Sequence, residues 1–305
     1  MKKIKRATAS IALTLSIALI IHSCKEVGPY VNLSGNPTSI TYIESPVQAA
    51  QYKNSLIEVF TGVTCSNCPR AHVALDNLIS QYGTTNNHVF GVEYHVGGAY
   101  FSQDAAPATT TVGQNMTATD AQTIVFNLLG DPGFMPAGFI DRNYQASQSS
   151  IWDNYTNWSG DVGADLTTPT AQVNVYINNT FNSSLKQIGM WVSLHYVVPQ
   201  TDSDRLTILL TEDTITATQE QPDGSFDTSY IQNHIMRKAV TSPSGDNIGV
   251  PTFVAGRVDS VYYSYTLTPA DSLWKPQHMH IIAFVHKYED GNINILQSQM
   301  VPVVH

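Results

Sequence analysis

Hydrophobic and polar positions along this chain fall into two textures. Between residue 51 and residue 165, short apolar runs alternate with stretches of helical period. Residues 56–60 (Leu-Ile-Glu-Val-Phe) have the length of a buried strand. Residues 69–82 then place Ala71, Val73, Ala74, Leu75, Leu78 and Ile79 at helical spacing. Residues 89–96 predict a second strand and residues 121–129 a second helix. A glycine-rich loop leads to Pro136 and a short apolar strand, the one arrangement in which proline enters a sheet, at a first residue or an edge. Ile151, Trp152, Tyr155 and Trp158 form an aromatic helical patch, predicted to close this unit by packing on its sheet.

From residue 166 to residue 305 the period drops to two. Runs at 171–177, 188–198, 206–210, 231–240, 258–267, 280–288 and 293–303 are separated by turn clusters such as Gln221-Pro222-Asp223-Gly224. Short strands at this spacing predict an all-β sandwich. Residues 24–50 differ from both textures, carrying Gly28, Pro29, Gly35, Pro37 and Pro46 without periodicity, and read as a flexible tether.

The N-terminus reads as an export signal over residues 1–23. A basic segment, Met1-Lys2-Lys3-Ile4-Lys5-Arg6, precedes an apolar stretch too short to span a bilayer. Ile20-Ile21-His22-Ser23-Cys24 resembles a bacterial lipobox, although His22 stands where a small residue is usual. Cys24 would then be diacylated and hold the protein to the outer membrane, since two or three acyl chains anchor stably where one does not.

Composition narrows the partners. Of 305 residues 42% are apolar, enough for two cores, and a net charge of −9 argues against nucleic acid or an anionic membrane surface. With Cys24 lipidated, Cys65 and Cys68 remain as one pair in a compartment where disulfides persist.

That pair carries the chemistry. Thr61-Gly62-Val63-Thr64-Cys65-Ser66-Asn67-Cys68-Pro69 sits between the first predicted strand and helix. A helix N-terminus favours thiolate and lowers a cysteine pKa. Cys65, at the cap, is expected to face solvent and attack; Cys68, one turn in, is expected to resolve. Pro69 suits a first helical turn. A zinc site needs a second ligand pair, which Cys24 cannot supply, and no close histidine pair follows. A static structural disulfide has the same letters, and that alternative stays open. His278, His280 and His286 share a strand face, but alternation alone produces such pairs, so no metal and no cofactor is expected.

The order strand, C-x-x-C-P, helix, strand, helix, X-Pro, strand resembles the thioredoxin-like fold. The resemblance implies an α/β thioredoxin-like domain over residues 51–165, followed by the sandwich at 166–305. It also implies a cis Met135-Pro136 bond beside the disulfide, holding a substrate chain. Glu58 matches the family's buried acid, which handles the resolving thiol's proton; simple alternation would instead turn Glu58 to water. Thr64 and Ser66-Asn67 depart from common thioredoxin residues, so no redox poise follows, and the long gap from Cys68 to Pro136 implies an insertion around 97–119.

Leu209-Leu210-Thr211-Glu212-Asp213, Asn233-His234-Ile235-Met236-Arg237 and the Glu58-to-Pro69 block are similar to the outer membrane protein 28-related lipoproteins of Gram-negative bacteria. This resemblance implies an outer-membrane lipoprotein; joined to the thioredoxin-like order of C-x-x-C-P and X-Pro, it gives the expectation of disulfide exchange with thiols of envelope or surface proteins. The competing reading is a non-catalytic surface binder whose sandwich takes a protein or glycan ligand.

Overall fold

A computed structural model describes residues 39–83, 85–86, 88–96, 115–143, 150–168, 170–201, 203–248, 253–289 and 291–305. The signal and lipobox readings, Cys24 included, and most of the 97–119 insertion lie outside those residues.

The described residues begin with β1 (Ser39–Ile43), β2 (Ser55–Thr61), α1 (Cys68–Tyr82) and β3 (Val89–His95). Next come α2 (Thr119–Gln122), continued by π-helical turns over Thr123–Leu129, then β4 (Ala137–Ile140) and α3 (Trp158–Asp165). Ten strands follow: β5 (Val173–Asn182), β6 (Gln187–Tyr196), β7 (Asp204–Glu212), β8 (Ile215–Glu220), β9 (Phe226–Gln232), β10 (Ile235–Ala239), β11 (Asp246–Asn247), β12 (Arg257–Thr266), β13 (Met279–Lys287) and β14 (Ile295–Pro302).

One large sheet organises the molecule, in the order β14-β13-β7-β10-β3-β2-β4 with β11 beside β7. Every residue of β2 and β3 is buried, which explains their near-continuous apolar sequences: both faces are covered. On one face lies a core that joins Leu56, Phe60, Tyr94 and Phe139 to Ile124 and Leu129 of the helical segment, and to Leu209 and Phe284 of β7 and β13. The other face is divided. Ile57, Val59 and Ile140 pack under α1 and α3, while Leu206, Ile208, Ile281 and Val285 pack against β5 and β6 of a second sheet, ordered β1-β12-β6-β5.

This arrangement corrects the predicted fold class. The protein is not an α/β thioredoxin-like domain followed by a separate sandwich: among the described residues, strands hold 46% and helices 17%. The strands read as belonging to two domains share the large sheet. The join is made at β3, whose free edge pairs in parallel with β10 through Ile235↔Glu93, the Glu93 amide donating to the His234 carbonyl at 2.8 Å. A sheet edge presents unpaired donors and acceptors, and here the second half of the chain satisfies them.

Three local differences follow the same logic. The run read as one strand at 231–240 is two, β9 and β10, broken at Asn233-His234, where His234 has φ 60°. Residues 39–43, within the span read as tether, form β1 against β12. The aromatic patch is not one helical stripe. Trp152 packs against Phe60 and Phe139 on one face of the sheet, whereas Trp158 starts α3 on the other. Gly138 lets α3 approach, because a Cβ there would lie 2.4 Å from Cζ2 of Trp158.

Candidate functional site

The loop from β2 to α1 is a tight turn. The Cys65 amide donates to the Gly62 carbonyl at 3.2 Å and the Cys68 amide to the Cys65 carbonyl at 3.1 Å. Asn67 occupies the cap position of α1 and Pro69 its first turn, where a missing N–H costs nothing. Cys65 and Cys68 are joined by a disulfide. Cys68 is fully buried and Cys65 is 8% exposed, so the more accessible sulfur is nearly enclosed rather than facing solvent as expected from the cap position.

The hairpin β8–β9 is fastened to this loop. Gln219, fully buried, donates from Nε2 to the carbonyls of Gly62 at 3.2 Å and Cys65 at 3.1 Å, and its Oε1 accepts from Gln232 at 3.0 Å. The Glu220 amide donates to the Val63 carbonyl at 2.8 Å. Beneath the hairpin Val63, Met116, Ile215, Ala217 and Ile235 form a small apolar core.

Under the first turns of α1 lies a buried polar cluster. His72 is one turn beyond Cys68; its Nε2 is 2.8 Å from Thr61 Oγ1 and 3.5 Å from a carboxylate oxygen of Glu93, and its Nδ1 is 2.9 Å from the Tyr230 hydroxyl of β9. Parallel pairing sets His95 beside Thr61 and Glu93 beside Val59. Burial, reinforced by the neighbouring His95, depresses the His72 pKa to about 3. Burial, with Asp76 and Asp213 near, raises the Glu93 carboxyl well above its usual range. At the outer side His234 lies 3.3 Å from Asp76 and 3.5 Å from Asp213, which His280 also approaches, at 3.4 Å.

Of the residues expected at the site, the two cysteines are adjacent, and Met135-Pro136 is a cis peptide. Phe60↔Ala137 pairing sets that peptide at the end of β2 from which the Cys65 loop departs. Glu58 is elsewhere. It is fully buried on the opposite face to α1, accepting from Arg142 at 2.8 and 2.9 Å and from the Tyr94 hydroxyl at 2.5 Å. It neither faces water nor meets the thiols. The acid on the α1 face is Glu93, which the sequence reading passed over; the signal that could have found it is that Glu93 and His95 alternate on one strand face and His72 follows Cys68 by four.

A β-rich molecule with a CxxC disulfide sealed under its own hairpin is the class that fold and site define. Residues 122–304 match the family described as outer membrane protein Omp28, and the chain belongs to that family. The protein is accordingly one of the outer membrane. The matched range begins after Cys65 and Cys68, so membership rests on the β-rich portion. HBP35 of Porphyromonas gingivalis has a similar fold, with a TM-score of 0.62 at 16% identity over 84% of this chain and 76% of that one. A domain of the outer membrane lipoprotein Omp28 from the same organism aligns at 18% identity over 44% of this chain and 89% of its own, with a TM-score of 0.31. No curated protein matches the sequence.

Proposed function

We propose that this protein is lipid-anchored through Cys24 and exchanges disulfides with thiol-bearing proteins of the envelope or cell surface. The observation that carries the reading is the asymmetry of the pair: a disulfide at a helix N-terminus, with Cys65 the sulfur nearer solvent and Cys68 fully buried. A partner thiolate attacks Cys65, forming a mixed disulfide and expelling Cys68 as a thiolate stabilised by the helix N-terminus. A second partner thiol then displaces Cys65, so the partner loses two electrons and two protons and leaves with a disulfide. In this reading the Met135-Pro136 segment, at the end of β2 from which the Cys65 loop departs, positions the incoming chain. Here the β8–β9 hairpin, which bonds the carbonyls of the Cys65 loop, moves to widen access to Cys65.

A second reading has its own support. Gln219, buried on β8 and bonded to Gln232 of β9 and to the Cys65 carbonyl, suits a permanent bridge that fixes the loop, in a surface-binding protein without redox turnover.

The reduction potential of the Cys65–Cys68 pair separates the two. Equilibration in glutathione or dithiothreitol buffers followed by alkylation should give roughly −270 to −120 mV with fast exchange. A value below about −300 mV, or thiols unreactive until unfolding, would establish the structural bridge. Cys24→Ser should release the protein from membranes; retention in the membrane fraction would count against the anchor.

A further inference from the structure

The second sheet, β1-β12-β6-β5, gives one face to the core, where Val175, Met190, Val192 and Leu194 are fully buried, and turns the other outward. Alternation puts Tyr176, Trp191 and Tyr262 on that outer face, one on each of three neighbouring strands. Trp191 and Tyr262 are direct cross-strand partners, and Tyr176, opposite Ser193, stands diagonal to Trp191.

All three rings are held in place. Tyr262 reclines over Gly189, whose missing side chain makes the room: a Cβ there would lie 2.7 Å from the Tyr262 hydroxyl. Trp191 packs on Tyr262 with ring centroids 5.4 Å apart. Tyr176 donates from its hydroxyl to Gln48 at 3.0 Å and makes a T-shaped contact with the His195 ring at 5.2 Å. Tyr176 and Tyr262 are nonetheless 41% and 36% exposed. Rings on the outer face add nothing to the core, and rings fixed in advance take a ligand at little cost in lost freedom.

The positions around them identify the ligand. From Tyr176 to Asn182 on β5, Gln187 to Ser193 on β6 and Ser260 to Thr266 on β12, every outward residue is Asn, Gln, Ser, Thr, Gly, Tyr or Trp. In a chain of net charge −9 this surface carries no Asp, Glu, Lys or Arg, so a partner recognised by charge finds nothing to pair with. Hydroxyls and carboxamides both give and accept hydrogen bonds. A neutral sugar chain has the matching chemistry: C–H faces that stack on aromatic rings, and hydroxyls that both give and accept. We propose that this outer face binds a neutral polysaccharide, with Tyr176, Trp191 and Tyr262 as the stacking platform and the Asn178 carboxamide, opposite Trp191, bonding sugar hydroxyls. The face shares no residue with the disulfide loop, so the proposal stands whichever reading of the Cys65–Cys68 bridge holds.

The test uses the full-length protein in a detergent without a sugar headgroup. Dextran, laminarin and galactomannan serve as neutral probes and polygalacturonate as the acidic one, in native affinity electrophoresis and calorimetry. At least one neutral polysaccharide should bind saturably, with no loss at high salt. Trp191→Ala and Tyr262→Ala should each weaken binding at least about tenfold, whereas Tyr262→Phe, which keeps the ring, should stay within about threefold of the parent. Asn178→Ala, at an exposed position, should cost about fivefold without disturbing either ring. Circular dichroism and the unfolding midpoint serve as folding controls. Failure of every neutral probe, binding that survives both ring deletions, binding confined to polygalacturonate and lost in salt, or a dimer that Tyr262→Ala dissociates would overturn the assignment.

Discussion

Arg142 grips Glu58 with two parallel hydrogen bonds, 2.8 and 2.9 Å long, across a sequence distance of 84 residues, and both side chains are fully buried. Asp141 and Arg142 hold φ values of 49° and 55°, a conformation costly for side-chain-bearing residues. Two buried ion pairs, Arg142 with Glu58 and Lys53 with Asp141, hold the kink in place. Removing one partner strands the other charge. Glu58→Gln should cost about 3–5 kcal/mol and lower the midpoint of thermal unfolding by roughly 10 °C. Calorimetry of the variant checks this, and a shift within 2 °C or so would mean that the pair contributes little.

Gln219 controls access to Cys65. Gln219→Ala removes two hydrogen bonds to the disulfide loop, so the hairpin should open more often. Reduction by dithiothreitol under native conditions should then accelerate about tenfold. An unchanged rate would show that reductant reaches the disulfide by another path.

Acid and base should act on the buried cluster in opposite senses. His72 titrates at its ordinary 6.5 when unfolded and at about 3 when folded, so between those values the unfolded chain binds more protons. The stability it gives is complete above pH 6.5 and is lost as pH falls toward 3, on the order of 4 kcal/mol in all. Glu93, raised above its ordinary 4.5, gives stability that is complete below that value and lost as pH rises. Burial is the main cause of both shifts; His95 on β3, Asp76 on α1 and His234 before β10 act on His72, Asp76 and Asp213 act on Glu93, and the Tyr230 hydroxyl of β9 faces His72. His72→Gln should therefore flatten the acid limb of stability against pH, and Glu93→Gln the alkaline limb. Denaturant titrations across pH 4 to 8 or so would expose either limb that stays unaltered.

Gly138 should tolerate no side chain. Gly138→Ala drives a methyl into the indole of Trp158 and into the Glu58 carbonyl, 3.0 Å away, and should cost about 1–3 kcal/mol. Urea unfolding checks it, and wild-type stability would mean that α3 shifts freely.

Local elements were legible wherever packing follows period. The strand at 56–60, the helix at 69–82 and the strand at 89–96 lie almost where their apolar spacing put them, because each covers a face of one core. The sheet that joins them to the second half was not. Pairing of β3 with β10 depends on complementary edges, which leave no mark on the spacing of either strand. β8 was missed for a related reason: Ile-Thr-Ala-Thr-Gln-Glu is a polar strand whose buried Gln219 serves a loop far upstream. Glu58 stood out as an acid in an apolar run, yet its partner Arg142 is distant in sequence, so the thioredoxin-like resemblance pointed to the thiols and alternation to water. His72, Glu93 and His95 were visible as letters, and only the parallel register of β2 and β3 gathers them under α1.

The parallel contact of β3 with β10 also sets a schedule for making the protein. β3 ends at residue 95 and its neighbour begins at residue 235, so during synthesis or translocation the strand waits beside an open edge until far more chain has emerged. A loop of that length closes slowly, and the waiting edge can recruit the wrong strand. Cutting the chain near residue 165 would accordingly yield a sticky fragment rather than a free-standing domain, and the interval before β10 arrives is when a holding chaperone would matter most.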